Sequence, residues 1–102
     1  VYIFGRRQEK LDAALRELGP GARAVAGSVA DPADLDRLFE TAKAERGSID
    51  ILFANAGTGA LVPLPNITPD HYDETFDVNV KGTIFTVQKG LKLMSAGGSI
   101  IL

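Results

Sequence analysis

Short unbroken apolar runs alternate along the chain with stretches whose apolar residues recur every three or four positions. These are the signatures of buried strands and amphipathic helices. Val1-Tyr2-Ile3-Phe4 is the first run and predicts a strand, left through the turn Gly5-Arg6-Arg7. From Gln8 to about Leu18, residues Leu11, Ala14, Leu15 and Leu18 share one helical stripe, and Glu9, Lys10, Asp12, Arg16 and Glu17 cover the other side. Gly19-Pro20-Gly21 ends that helix. Ala22 to Val29 predicts the second strand, with Ala24, Val25, Ala26 and Val29 as its core. Asp31-Pro32 then opens a helix: Asp31 suits the N-cap, and Pro32 suits the first helical position, where a missing N–H costs nothing. Asp34 adds a carboxylate to the first turn, where the helix dipole favours it. Leu35, Leu38, Phe39 and Ala42 form the buried stripe, and Gly47 is the stop.

The run from Ile49 through Ile51, Leu52, Phe53 and Ala54 predicts a third strand, covered on both faces, that ends on Asn55-Ala56-Gly57. Small residues at the carboxyl end of such a strand let a ligand or another backbone come close. Thr58 to Ile67 is a loop with Pro63 and Pro65, in a position where loops often cover a ligand site. Thr68-Pro69 repeats the cap-then-proline signal and opens the longest helix, which is predicted to run to about Met94. Phe76, Val80, Ile84, Val87, Leu91 and Met94 make one stripe, and Val78, Phe85 and Leu93 fall outside it. A helix apolar on more than one face is buried on more than one face, here against the sheet and against a partner subunit. Ala96-Gly97-Gly98 ends the helix, and Ser99–Leu102 begins a fourth strand. The order β-α-β-α-β-α-β with short connections predicts an α/β fold, a doubly wound parallel sheet with right-handed crossovers.

At 102 residues the chain is one domain at most. Its net charge of −2 implies no general attraction to nucleic acid or to acidic membranes. With no cysteine there is no disulfide framework and no thiolate metal site. That composition fits a reducing compartment, and a cytoplasmic protein is expected. No apolar run approaches membrane-spanning length, and no signal peptide is visible. The chain begins and ends inside apolar runs, which complete domains seldom do, so an internal stretch of a longer protein is expected.

Four features could carry chemistry. Gly5-Arg6-Arg7 places a small residue and two guanidiniums at the end of the first strand. In a dinucleotide fold an acid near this point accepts from the adenosine ribose, whereas an Arg accommodates a 2′-phosphate. Taken alone, the pair is better explained as a solvated basic turn. Ser28 could face a ligand at a strand end, but Asp31 beside it is explained as a cap. Asn55-Ala56-Gly57 gains weight from its place at the end of a buried strand in a βαβ series. Asn79-Val80-Lys81-Gly82 sets two poor helix formers in one turn of the long helix; Gly alone costs about 1 kcal/mol relative to Ala there. A local distortion, a close backbone approach, or tight helix packing at Gly82 would explain them. His71, the only histidine, is expected to face solvent rather than to act in catalysis.

Together these residues resemble the classical short-chain dehydrogenase/reductase family, over the whole stretch from Val1 to Leu102. The most specific marks are Asn55-Ala56-Gly57 and Asn79-Val80-Lys81-Gly82. The resemblance implies a Rossmann-like NAD(P)-binding domain, of which residues 1–102 are part, and hydride transfer between nicotinamide and a small carbonyl or alcohol substrate. Gly5-Arg6-Arg7 looks like the family's NADP-type second strand, so NADP(H) is expected over NAD(H), with Arg6, helped by Arg7, on the 2′-phosphate. Val29 would line the adenine pocket. Asn55, Ala56 and Gly57 would pack beside the adenosine ribose and the cofactor backbone. Asn79 would match the asparagine of the family's Asn-Ser-Tyr-Lys tetrad, whose main chain holds a water in the proton relay. No metal is implied. A homodimer or homotetramer through the helix Pro69–Met94 is expected.

Two departures stand out. Where the family commonly has Asp-Val at the end of its third strand, with the Asp on the adenine amino group, this chain has Ser28-Val29. Gly90 adds a second helix-interior glycine and should loosen the last turns of the long helix. By the resemblance, the glycine-rich turn belongs before Val1, the Ser and Tyr-x-x-x-Lys belong after Leu102, and a further strand belongs between Val1–Phe4 and Ile51–Ala54. A non-catalytic dinucleotide-binding module is the main rival reading, and a flavodoxin-like or receiver-type domain a more distant one.

Overall fold

The computed structural model describes residues 1–102. Strand β1 (Tyr2–Gly5) leads through Arg6-Arg7 into helix α1 (Gln8–Leu18), then strand β2 (Arg23–Ala26), helix α2 (Pro32–Arg46) and strand β3 (Ile49–Phe53). After a loop with one short 3₁₀ turn come helix α3 (Pro69–Phe76), a π turn (Asp77–Gly82), helix α4 (Thr83–Gly90), a 3₁₀ turn (Leu91–Leu93) and strand β4 (Met94–Ile101). The predicted order of strands and helices holds. The fold is a partial Rossmann-like α/β domain.

The strands form two parallel pairs. β1 pairs with β2, Phe4 opposite Val25 and Gly5 opposite Ala26. β3 pairs with β4, Leu52 opposite Ile100 and Phe53 opposite Ile101. A cleft of about 940 Å³ separates β1 from β3, lined by residues 1–4 on one side and 49–56 on the other. This is the position at which the resemblance puts a further strand. Period-2 alternation then assigns the helices to faces. Phe4 and Val25 join the core formed with Leu35, Leu38 and Phe39 of α2 and Leu52 of β3, whereas Gly5 points toward Leu11 of α1, the buried residue of that helix. Helices therefore lie on both faces of the strands.

Helix α2 is built as its sequence predicts. Asp31 caps it, accepting the Ala33 N–H at 2.9 Å. Gly47 ends it at φ +80°, a left-handed conformation that glycine tolerates best. All four stripe residues are buried, and Leu35 is fully enclosed. Burying one such leucine contributes roughly 1.5–3 kcal/mol.

Several expectations need correction. β2 stops at Ala26 rather than Val29, because the Ser28 N–H turns away from the sheet to the Asp34 carboxylate. Within these 102 residues only one face of β3 is covered: Leu52 is buried, but Ile51 and Phe53 on the opposite face are 67% and 60% exposed. The helix predicted over Pro69–Met94 is not continuous. The π turn inserts one extra residue, which rotates the downstream helix α4 by about 100° relative to an unbroken helix. The predicted stripe divides between surface and core. Phe76, Val80, Ile84 and Leu91 are exposed, while Val78 is buried and Phe85, Val87, Leu93 and Met94 pack on the core or its margin. Met94 already has extended backbone and starts β4, well before Ser99. Gly90 does mark the change from α to 3₁₀ geometry. It also permits close packing, since a Cβ there would lie 2.8 Å from Leu52 Cδ2 and 3.2 Å from the Phe39 ring. No helix is long and apolar enough to cross a membrane.

Candidate functional site

The candidate residues gather at the carboxyl ends of the strands and at the π turn. Gly5 closes β1, and its carbonyl accepts the Gly27 N–H at 2.9 Å, which joins the ends of β1 and β2. Arg6 and Arg7 come next, both exposed, and neither takes part in a salt bridge. The Arg7 carbonyl accepts the N–H groups of Lys10 and Leu11 at 3.1 Å each, so its backbone starts α1 while its side chain stays free. Two unpaired guanidiniums beside a glycine at a strand end suit a phosphate, because each presents a rigid fork of donors.

Ser28 is already engaged with its own turn. Its Oγ accepts the Ala30 N–H at 3.2 Å, and its N–H donates to Asp34 Oδ2 at 2.8 Å. Asp34 in turn pairs with Arg37 at 2.8 Å, and Arg37 Nη2 donates to the Ala26 carbonyl. The Ser28 N–H foremost, and Arg37 after it, hold the Asp34 carboxyl below its ordinary range despite some desolvation. By sequence, Asp34 is only a favourable charge in a helix's first turn. Its partner lies outside the helix, and nothing in the spacing announces it.

Val29 lies against the π turn. A Cβ on Gly82 would come within 2.7 Å of Val29 Cγ2 and 3.1 Å of Val29 Cβ. The turn at Asn79 and Gly82 therefore has two physical causes: the helix is distorted there, and another segment approaches it closely. Val29, Asn55, Ala56, Gly82 and Thr83 line the cleft together, along with the buried Thr86, whose hydroxyl has no partner.

Asn79 is tied to the strand end. Its Oδ1 accepts the Thr58 N–H at 2.8 Å, and its Nδ2 donates to the Thr58 carbonyl at 2.7 Å. A Cβ on Gly57 would lie 3.4 Å from Asn79 Oδ1, an ordinary contact distance. The main-chain carbonyl of Asn79 accepts the Thr83 hydroxyl at 2.9 Å. Thr58, one residue beyond the motif, carries no signal in the sequence; its contribution is backbone alone, which no side-chain pattern reveals. Gly57 and Asn79 do not line the cleft, and neither do Gly5, Arg6, Arg7 and Ser28, which sit together at the ends of β1 and β2. His71 is half-buried rather than fully solvent-facing, and it is not among the cleft residues. No group of His, Cys, Asp or Glu is arranged to hold a metal.

The arrangement can bind and orient. It offers free guanidiniums, a turn pinned by a carboxylate, small residues at a strand end and an amide-organised π turn. The family pattern described as short chain dehydrogenase matches residues 1–102. An oxidoreductase of Sarocladium schorii is 62% identical over 104 residues, covering all of this chain and 42% of that protein. A sorbitol dehydrogenase of Cereibacter sphaeroides is 42% identical over 98 residues, covering 96% of this chain and 38% of its own length. The structure of L-sorbose reductase from Gluconobacter frateurii, complexed with NADPH and L-sorbose, superposes with a TM-score of 0.87 at 25% identity, over 97% of this chain and 40% of that one. The chain thus spans about two fifths of the length of the relatives it matches, and it belongs to the short-chain dehydrogenase family.

Proposed function

We propose that the full protein is an NADP(H)-dependent oxidoreductase acting on a small carbonyl or alcohol substrate. The observation that carries this reading is the reciprocal pair of hydrogen bonds between Asn79 and Thr58. It locks the π turn to the strand end Asn55-Ala56-Gly57, the two marks most specific to the family. NADP(H), when bound, supplies or accepts the hydride.

The chain's own residues then have separate tasks. Arg6 and Arg7 bind the 2′-phosphate, and Gly5 leaves room for it. Ser28 and Val29 form the wall of the adenine pocket. Ser28 has no carboxylate for the adenine amino group, and its hydroxyl already accepts from Ala30, so shape rather than a charged hydrogen bond selects the base. Asn55, Ala56 and Gly57 let the cofactor backbone pass close to the end of β3. Asn79 presents its main-chain carbonyl toward the relay water, with its side chain fixing the turn. By family resemblance the proton moves through a tyrosine and lysine outside these 102 residues. The NADPH in the L-sorbose reductase structure supports the cofactor assignment, as do the unpaired guanidiniums. The exposed apolar residues Phe76, Val80, Ile84 and Leu91 support self-association through α3 and α4.

The test is NADPH consumption by the full-length protein over a panel of small ketones, aldehydes and aromatic quinones, and NADP⁺ reduction over polyols. Turnover on any of these supports the oxidoreductase. Tight NADPH binding with no turnover across both panels would favour the non-catalytic dinucleotide module instead.

A further inference from the structure

We propose that Asp34 and Arg37 are positioning residues for the adenosine half of the cofactor, acting through the turn Ala26–Val29. The inference rests on the reading of that turn as the adenine wall. Helix α2 reaches back to the end of β2 with two side chains. Asp34 Oδ2 takes the Ser28 N–H at 2.8 Å, and Arg37 takes the Ala26 carbonyl while pairing with Asp34 Oδ1 at 2.8 Å. The three contacts form one clamp: the guanidinium aligns the carboxylate, and the carboxylate aligns the turn. Gly27, between the two clamped residues, is packed so closely that a Cβ would lie 2.8 Å from both Asp34 Cβ and the Phe4 ring.

The clamp fixes where Val29 goes. Val29 leaves the turn immediately after Ser28 and lodges against Gly82 in the π turn. A charge-assisted hydrogen bond to a backbone N–H is shorter and stronger than a neutral one, so losing it frees the turn rather than merely weakening a cap. The N-cap of α2 is a different residue, Asp31, with its own bond to Ala33. Removing Asp34 therefore leaves the helix start intact and releases the pocket wall. The clamp touches neither Asn79 nor the end of β3, so it should act on binding and not on the chemical step.

The test uses full-length enzyme and adenosine 2′,5′-bisphosphate, a fragment that occupies only the adenosine half of the site. Asp34→Ala should raise the NADPH KM and the inhibition constant of the fragment together, by about tenfold, the scale of one lost charge-assisted hydrogen bond. The kcat should stay within about twofold. Asp34→Asn, which keeps an acceptor for Ser28 but loses the pairing with Arg37, should fall between wild type and Asp34→Ala. Arg37→Leu should behave like Asp34→Asn and serves if Asp34→Ala does not fold. A general loss of packing would instead lower kcat or thermal stability without a matched rise in the two constants, and that result overturns the proposal. Arg6→Ala is the control. If it weakens the fragment while the clamp variants do not, the cofactor reading stands and the clamp falls. If neither weakens it, both fall.

Discussion

Asn79 in the π turn and Thr58 in the loop after β3 close a reciprocal pair of hydrogen bonds, 2.8 Å and 2.7 Å long, across 21 residues of sequence. Both polar groups of the Asn79 amide are committed to one residue's backbone. The side chain therefore has a structural task, and any role in the proton relay falls to the main-chain carbonyl that the π turn presents. The two are coupled, because the amide holds the turn in which that carbonyl sits.

Asn79→Leu removes both bonds and puts nothing polar in their place. It leaves the Thr58 N–H and carbonyl unpartnered by the side chain, which costs roughly 1–3 kcal/mol if they stay buried. The folded variant of the full-length enzyme should lose about 10²-fold or more in kcat, the scale of lost general acid–base assistance. Its NADPH Kd should change far less than its kcat, because Val29 meets the π turn only at Gly82 and the 2′-phosphate site lies at the end of β1. Steady-state kinetics alongside a cofactor titration check this. A near-normal kcat would leave Asn79 as a structural tie and take it out of the relay.

Two glycines set propensity against packing. In an exposed helix, Gly→Ala stabilises by about 1 kcal/mol. At Gly82 the new methyl would sit 2.7 Å from Val29 Cγ2, and at Gly90 it would sit 2.8 Å from Leu52 Cδ2. Overpacking of that kind costs about 1–3 kcal/mol, so packing wins. Gly82→Ala and Gly90→Ala should both lower the thermal midpoint, and Gly82→Ala should also weaken NADPH binding, since it displaces Val29. A rise in the midpoint for either variant would contradict the close approach.

Asp34 gives a pH signature. Its carboxyl is held below the ordinary value of 3.8, chiefly by the Ser28 N–H and then by Arg37. A group whose pKa is lowered on folding contributes stability that is fully present above the unfolded value and is lost as pH falls through the folded one. The stability gap between wild type and Asp34→Asn should therefore be constant from neutral pH down to about 5, and should narrow below about 4. Thermal melts of the two proteins over that range test it. A gap that persists unchanged into strong acid would mean the ionised carboxylate contributes nothing.

The region from α3 to the 3₁₀ turn after α4 carries Phe76, Val80, Ile84 and Leu91, each between 45% and 57% exposed. Tyr72 stacks on Phe76 at a centroid distance of 4.3 Å and extends the patch. Exposed apolar side chains of this kind suit a two-fold contact between paired helices. The full-length protein should be a dimer or tetramer by light scattering, and Ile84→Glu should shift it toward smaller species, because an unpaired charge in an apolar interface is costly. A strict monomer at micromolar concentration in the wild type would refute this.

Much of this frame is legible in the sequence, for reasons that differ by element. Helix α2 is readable end to end because its signals are local: Asp31 caps, Pro32 starts, Gly47 stops, and four apolar residues mark one face. The α3–α4 region is not, because a π turn is one extra residue in an otherwise unbroken pattern. Phe76, Val80 and Ile84 keep a spacing of four and look like one core stripe, yet they face outward while Val78 and Phe85 face the core. β2 is shorter than its apolar pattern because the diversion of Ser28 depends on Asp34, a side chain from the next element. The exposure of Ile51 and Phe53 depends on which helices cover β3 in this stretch, which an apolar run cannot tell. The candidate residues can be picked out by type and position. The bonds that organise them, Asn79 to Thr58 and Asp34 to Ser28, involve backbone and partners outside each motif, so composition and spacing are silent about them.

The most direct measurement is a fluorescence titration of the full-length protein with NADPH and with NADH, repeated on Gly5→Asp/Arg6→Ala. Arg6 and Arg7, exposed and unpaired at the end of β1, are the proposed seat of the 2′-phosphate. Wild type should then bind NADPH at least about tenfold tighter than NADH, consistent with one or more charge-assisted contacts. The double variant should lose or reverse that preference, since an acid now faces the ribose hydroxyls. Equal affinity for the two dinucleotides in wild type, or a preference that survives the double substitution unchanged, would contradict the assignment.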